Sequence, residues 1–308
     1  MANATVNRAG RSPGWALWLD ARGQFSWLRF VTLLALLAPA IVAGYDTAMG
    51  NLGARPITEV IHRSGLWMVR FLFLSMLVTP VRRSWRWPEL LDIRRMLGVG
   101  CFCYGVAHIS LYIVDENFDL GTVASEIVLR IYLTIGAVAL LGLGVLAATS
   151  TDGMVKRLGA KNWQRLHMAI YGIAVLGIIH YFMQSKLEVT EPTVFAGFLG
   201  WLLIYRLVVA FMDRRSEPSP YLIAGLSLIV PILTALGEAG YFNILYHAPI
   251  IRVLQADLGL RTGIRPAWWV LIFGAIVTTG MIYRRLTTKS RARPTPRAGA
   301  KPQPNPAQ

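Results

Sequence analysis

Residues 166–184 read Leu-His-Met-Ala-Ile-Tyr-Gly-Ile-Ala-Val-Leu-Gly-Ile-Ile-His-Tyr-Phe-Met-Gln, nineteen positions without one Asp, Glu, Lys or Arg. A run of this length and apolarity matches the ~17–25 residues that a helix needs to cross a hydrocarbon layer of ~30 Å. It nevertheless carries two histidines, His167 and His180. An ionisable side chain at the centre of a spanning helix costs about 2.5–3.5 kcal/mol on insertion scales, so one kept there usually serves function.

Working outward, seven further apolar runs cover about 27–45, 64–80, 96–114, 127–148, 193–212, 219–237 and 267–283. Pro231 interrupts the run over 219–237, and the last run is barely long enough. None of them alternates apolar with polar residues, which sets aside a transmembrane barrel. The expected fold is therefore an all-α polytopic transmembrane helical bundle. Of the 308 residues, 55% are hydrophobic and 15% charged, and the mean hydropathy is +0.48.

The net charge of +15 reads as topology and not as a nucleic-acid surface, because of where the cations stand. Arg82, Arg83, Arg86, Arg94 and Arg95 follow the second run, and Lys156, Arg157, Lys161 and Arg165 follow the fourth. Arg214 and Arg215 follow the sixth, and seven more Lys and Arg stand between 284 and 301. Residues 115–126 instead hold Asp115, Glu116, Asp119 and Glu126 and no cation. By the positive-inside rule both termini are expected in the cytoplasm. The first ~24 residues are polar, with no cleavable signal peptide expected, and 289–308, rich in Pro, Ala and Lys/Arg, read as a disordered cytoplasmic tail. Trp27, Trp85, Trp87, Trp163, Trp201, Trp268 and Trp269 read as an interfacial belt. Cys101 and Cys103, two apart on one helix, should point to different faces and act as small packing residues.

Depth along each span follows from ~1.5 Å per helical residue. His108 stands 13 residues beyond Arg95, and His180 stands 15 beyond Arg165. These separations correspond to about 20 Å and about 22 Å from the same basic edge. Two imidazoles at matching depth on different helices can clamp one haem iron, since imidazole is a common axial ligand in helical bundles. His108 and His180 are thus the expected axial pair of a haem nearer the periplasmic face; the other reading is that each is an interior histidine satisfied by a backbone carbonyl. His167, at the basic edge, has no histidine at its depth on another span. It is either one ligand of a second haem or a contact to a propionate, flavin or quinone. His62, near the opposite edge, is a weaker candidate for a propionate or quinone contact, and His247 reads as structural. Arg82, Arg83, Arg94 and Arg95 border the cytoplasmic side, where haem propionates, a flavin phosphate or an acidic donor could dock. A purely topological role for these arginines is the other reading.

Three ordered blocks carry a family resemblance. The first runs from His62-Arg-Ser-Gly65 through Arg70-Phe71-Leu72 to Val78-Thr79-Pro80-Val81-Arg82-Arg83. The second is Arg94-Arg95-Met96-Leu97-Gly98 with Tyr104, His108 and Tyr112. The third joins Thr149-Ser150-Thr151, Arg157-Leu158-Gly159, Trp163-Gln-Arg-Leu-His167, Tyr171 and His180-Tyr181, ending at Lys186. Together they resemble MsrQ (formerly YedZ), the haem-binding membrane subunits of the bacterial periplasmic methionine sulfoxide reductase system, over roughly 25–212. The resemblance implies a six-helix, ferric-reductase-like inner-membrane core holding haem b, one or two, and FMN. His108, His167 and His180 fall on the family's histidine positions. It further implies an electron-transfer subunit and not a self-sufficient enzyme. Electrons would come from the quinone pool or a cytoplasmic flavin reductase. They would pass to a periplasmic molybdenum-containing methionine sulfoxide reductase subunit that repairs oxidised proteins.

The chain then divides into a cytoplasmic segment 1–24, a haem-binding core 25–212, an added transmembrane region 213–288 of unknown role and the tail 289–308. No G-x-G-x-x-G follows the spans, which disfavours a self-sufficient ferric or cupric reductase that oxidises a nicotinamide. A proton-coupled transporter predicts acidic residues at mid-membrane or repeated broken helices. The spans hold few acids and no internal repeat.

Overall fold

The computed structural model describes residues 16–20, 22–185, 188–212, 218–259 and 263–291. Segments 1–15 and 292–308, which hold most of the N-terminal segment and of the predicted tail, lie outside the described residues, as do Lys186, Arg214 and Arg215. Among the described residues the chain is a helical bundle, and its one β feature is an isolated bridge between Leu19 and Phe25. Eight helices are long and apolar enough to cross a membrane. The long helices are α1 (Trp27–Ala48), α2 (Pro56–Trp85), α3 (Leu91–Asp115), α5 (Ile131–Ala148), α8 (Ile170–Ser185), α9 (Thr190–Phe211), α10 (Pro220–Tyr246) and α12 (Pro266–Arg291). Shorter helices α4 (Leu120–Leu129), α6 (Asp152–Leu158), α7 (Ala160–His167) and α11 (Ile250–Leu258) join them, and α7 and α8 together make one span.

Local chemistry sets the helix starts. Ser26, Thr151 and Ser219 each accept a hydrogen bond from the backbone N–H three residues on, at 3.4, 3.3 and 3.1 Å. Asp119 caps α4 by accepting from the N–H groups of Gly121 and Thr122 at 3.0 and 3.1 Å, and these bonds hold its carboxyl below the ordinary carboxylate range. Pro56, Pro220 and Pro266 occupy first helical positions, where the missing N–H has no consequence. At the end of α2, Arg86 turns into the left-handed region (φ 51°) and stops the helix.

Four sequence expectations need correction. Pro231 does not interrupt its span: α10 runs on through it for 27 residues. The last span is not marginal, because α12 has 26 residues. Residues 127–129 belong to α4, and the backbone extends at Arg130 before α5 begins. Trp201 is no interfacial residue. It lies at mid-span of α9, fully buried, stacked on Tyr205 (5.5 Å, 6°) and edge-on to Phe273 of α12. By contrast, Cys101 is buried and Cys103 exposed, as their spacing predicts.

Two ends can be told apart. Arg95 of α3 pairs with Asp152 of α6 at 2.7 Å, so the Arg-rich end of α2 and α3 meets the α5–α7 connection. At the other end Arg63 of α2 bonds Asp46 of α1 at 2.6 Å, and Tyr181 of α8 donates to Glu191 of α9. Large apolar side chains such as Leu141 (71% exposed) and Phe211 (85%) face outward, as they should in a bundle whose solvent is lipid.

The C-terminal helices are fused to the preceding ones. Trp85 of α2 donates from Nε1 to the carbonyl of Val277 in α12 at 3.1 Å, and Trp201 does so to Ser227 Oγ of α10 at 3.3 Å. Gly197 permits the close approach: a Cβ there would stand 2.5 Å from Val270 and 2.7 Å from Thr234. Arg265 joins Glu238 of α10 to Asp257 of α11, and both carboxylates are buried.

Candidate functional site

The bundle presents two histidines by the same local device. α2 packs closely on α3, and α5 on α8. From α3, the Nδ1–H of His108 donates to the carbonyl of Ile61 in α2 at 2.9 Å. From α8, the Nδ1–H of His180 donates to the carbonyl of Tyr132 in α5 at 2.7 Å. In each partner helix the residue one turn after that carbonyl is glycine, Gly65 and Gly136. A Cβ on Gly65 would stand 3.1 Å from His108 Cε1, and one on Gly136 would stand 2.8 Å from His180 Cε1 and Nδ1. A side chain at Gly136 would force the His180 ring or the helix to move, and one at Gly65 would press the His108 ring by a few tenths of an ångström. Carbonyl bonding at Nδ1 fixes the tautomer and leaves Nε2 as the lone-pair nitrogen, the arrangement that metal-bound histidines usually adopt. Among the described residues no hydrogen bond reaches either Nε2. α3 also packs against α5, and His108 and His180 are within electrostatic range of each other.

His62, one residue past the carbonyl that holds His108, is exposed and also within electrostatic range of it. His167 is built differently. Its ring stacks on Trp163 at 3.8 Å, its Nδ1 lies 3.1 Å from the Trp163 carbonyl and its Nε2 lies 3.3 Å from Ser150 Oγ. Trp163 is itself held by the Thr149 carbonyl at 2.8 Å. Both nitrogens of His167 are therefore engaged by protein atoms at the α5–α7 corner. His247 ends α10 in the left-handed region (φ 53°).

At the basic end the four arginines separate. Arg95 is spent on its exposed pair with Asp152. Arg83 lies within electrostatic range of Tyr205. Arg94 instead faces Arg206, Tyr171 and Arg82, and the Arg206 guanidinium lies 5.5 Å above the Tyr171 ring. Arg82 Nε, Thr79 Oγ1 and Tyr205 OH are buried without a hydrogen-bond partner among the described residues. Arg82, with its unmet donor, Arg94 and Arg206 make a region of positive potential in which no carboxylate among the described residues answers them, suited to an anionic group. Arg206, within an apolar run, was missed by sequence reasoning. An arginine in a predicted span was the signal that could have found it.

Arg70, near the middle of α2, carries part of the family resemblance but no site role in the sequence reading. It lies 3.5 Å from Glu191 and 4.6 Å above the Trp67 ring, and Glu191 accepts from Tyr181, the neighbour of His180. A mid-span charge with a polar partner is a functional pointer in its own right.

Comparison with known proteins agrees with this architecture. Residues 64–178 match the family model described as ferric reductase like transmembrane component. The chain is 44% identical over 193 residues to the protein-methionine-sulfoxide reductase haem-binding subunit MsrQ of Rhodospirillum rubrum, covering 62% of this chain and 93% of that protein. The proteins of the same description from Azospira oryzae and Herminiimonas arsenicoxydans are each 36% identical, over 60% and 63% of this chain and 80% and 90% of their own lengths. No solved structure matches. The chain belongs to the MsrQ family of membrane proteins and carries a ferric-reductase-like transmembrane component.

Proposed function

We propose that this chain is a b-type cytochrome of the bacterial inner membrane and the haem-binding subunit of a protein-methionine-sulfoxide reductase. One observation carries the reading: the paired device that orients His108 and His180, with Nδ1 bound to a carbonyl, a glycine under each ring and Nε2 left for iron. These two side chains would hold the haem as axial ligands. Bound there, haem supplies one-electron transfer. Their level, toward the end opposite the arginines, suits delivery to a partner docked on the periplasmic side, the side that the positive-inside rule assigns to that end.

The residues near the site have separable tasks. The Ile61 and Tyr132 carbonyls hold the imidazoles in one tautomer and raise their basicity. Gly65 and Gly136 admit the rings. Arg82, Arg94 and Arg206 would neutralise an anionic group at the cytoplasmic end: a haem propionate, the phosphate of FMN or an acidic donor protein. His167, stacked beside them, would contact that group or serve a second haem after releasing Ser150, while His62 would border the first haem at its outer edge. The chain would take electrons from the quinone pool or a flavin reductase and pass them to a periplasmic molybdenum-containing reductase subunit. Reduction of a sulfoxide needs two electrons, so the partner must accumulate what the cytochrome delivers singly.

The test is spectroscopic first. The purified protein should show a haem b difference spectrum between its reduced and oxidised states; a protein that binds no haem under any expression condition overturns the reading. Reduced cytochrome should then be reoxidised by the family's periplasmic reductase with methionine sulfoxide present. Haem that stays reduced while the sulfoxide persists would reject the reductase role alone.

A further inference from the structure

A cavity of about 480 Å³ lies among α8, α9 and α10, at the joint between the histidine-bearing helices and the C-terminal addition. Its walls are almost wholly apolar. Ile179 and Met183 of α8 and Leu233 of α10 are 41%, 42% and 50% exposed, so the cavity opens sideways toward lipid. Two glycines help to shape it. A Cβ on Gly237 would meet nothing within 4 Å, and one on Gly200 would meet only Val230 at 3.9 Å. Glycine weakens a helix, and these two are not explained by close helix packing, unlike Gly197.

One charged group lines this apolar space. Glu238 is 2% exposed; its Oε1 accepts from Arg265, and its Oε2 is buried with no hydrogen-bond partner among the described residues. An acceptor left unmet inside a bundle is unfavourable unless a ligand supplies the donor. Arg265 bonds the other oxygen of Glu238, with Asp257 on the far side of Arg265, Glu188 within electrostatic range and Tyr241 beside it on the cavity wall. Phe182 and Tyr241, with ring centroids 5.7 Å apart, supply aromatic walls at the same end.

We propose that this cavity binds the head ring of a lipid-soluble quinol, one hydroxyl donating to Glu238 Oε2 and the ring lying against Phe182 and Tyr241. Each requirement is met by chemistry visible here: entry from the lipid, a flat apolar body and a hydroxyl donor for a lone buried acceptor. A phospholipid fits less well, because its acyl chains offer no donor and its phosphate would face a carboxylate. The cavity shares α8 with His180, so a bound quinol would sit about one helix diameter, roughly 10–12 Å, from that imidazole. That the quinol serves as an electron donor rests on the haem reading above; that it binds does not.

The full-length chain in lipid nanodiscs should be photolabelled with an azido-benzoquinol and competed with decylbenzoquinol, the labelled peptides being located by mass spectrometry. Label is expected on the cavity walls, near Phe182 of α8, Gly200 of α9, or Glu238 and Tyr241 of α10. Gly237→Leu, which fills open space and favours the helix, should abolish it. Glu238→Gln should weaken competition by about tenfold, the loss expected for a hydrogen bond to a charged group. Label elsewhere, label undiminished in Gly237→Leu, or equal competition by phosphatidylglycerol would overturn the proposal. The same labelling on the His108→Ala protein separates the two readings. Site-specific label without haem supports the cavity whatever becomes of the cytochrome, and a haem spectrum without label rejects the cavity alone.

Discussion

The two halves of the bundle handle polar groups in an apolar interior in opposite ways. In the histidine-bearing part, His108 and His180 each satisfy one ring nitrogen on a backbone carbonyl and leave the other unbonded among the described residues. In the C-terminal half, Glu238, Arg265 and Asp257 bond mainly to one another and tie α10, α11 and α12 together. An open valence held rigidly is a binding device, whereas a nearly closed charge cluster is chiefly a structural one. Mutations should therefore affect cofactor content in the first half and stability in the second.

The largest effect is expected at the imidazoles. His108→Ala or His180→Ala should leave a full-length, membrane-inserted protein that has lost its low-spin haem b spectrum, because neither Ile61 nor Tyr132 offers a substitute ligand. His167→Ala should retain that spectrum, since both nitrogens of His167 are already engaged. A His180→Ala protein with an unaltered haem spectrum would break the comparison at once.

Next comes Arg265→Ala, which should cost about 3–5 kcal/mol of stability by leaving buried carboxylates without their cation. The haem spectrum per folded molecule should stay the same. A pH dependence follows from Asp257, whose carboxyl burial pushes above the ordinary carboxylate range while Arg265 pulls it back. A carboxyl raised on folding contributes stability below its unfolded value and loses it as pH rises through its folded value. Without Arg265 the rise is larger, so the deficit of the variant should be smaller near pH 4 than near pH 7. Thermal inactivation of both proteins at the two pH values measures this, and a deficit independent of pH would remove Asp257 from the account.

A subtler difference is expected between glycines. Gly136→Ala places a Cβ 2.8 Å from the His180 ring, closer than any real contact, so the ring or α5 must move. Haem occupancy should fall and the absorption bands shift. Gly65→Ala, at 3.1 Å from His108, should do the same more weakly. Gly177→Ala, which meets nothing within 4 Å, serves as the control on α8 itself. Equal spectra for Gly136→Ala and Gly177→Ala would mean that the glycine under the ring has no part in holding it.

Much of this was legible in the sequence, and the reason is physical. Span length and charge placement are one-dimensional properties, so eight membrane-crossing helices could be read directly, and matched depth singled out His108 and His180 before any contact was known. Contacts between distant segments could not be read that way. That Ile61 and Tyr132 offer carbonyls, each one turn before a glycine, emerges only once α2 meets α3 and α5 meets α8. Pro231 looked like a break because proline removes one helical hydrogen bond, yet neighbouring helices in a bundle keep the helix continuous. Trp201 was assigned to the interface by residue type, and its place at mid-span shows that packing against Phe273 decided it. Arg206 was hidden by the apolar run around it, and Arg70 stood out only as part of a motif and not as a mid-span charge.

The smallest effect separates the arginines at the basic end. Arg95 and Asp152 form an exposed pair, 51% and 81% accessible, and such pairs contribute about 0–1 kcal/mol. Arg95→Gln should thus leave stability and haem reduction by the donor nearly unchanged. Arg94→Gln should slow that reduction and raise its dependence on donor concentration, because Arg94, Arg82 and Arg206 converge where no carboxylate among the described residues answers them. High salt should mimic Arg94→Gln if the donor docks through charge, since exposed charges are screened beyond about 8 Å at physiological ionic strength. A propionate or flavin phosphate held in the half-buried cluster would be screened much less. Stopped-flow reduction across a salt series therefore discriminates a docked protein from a bound cofactor, and equal rates for Arg94→Gln and Arg95→Gln would return all of these arginines to topology.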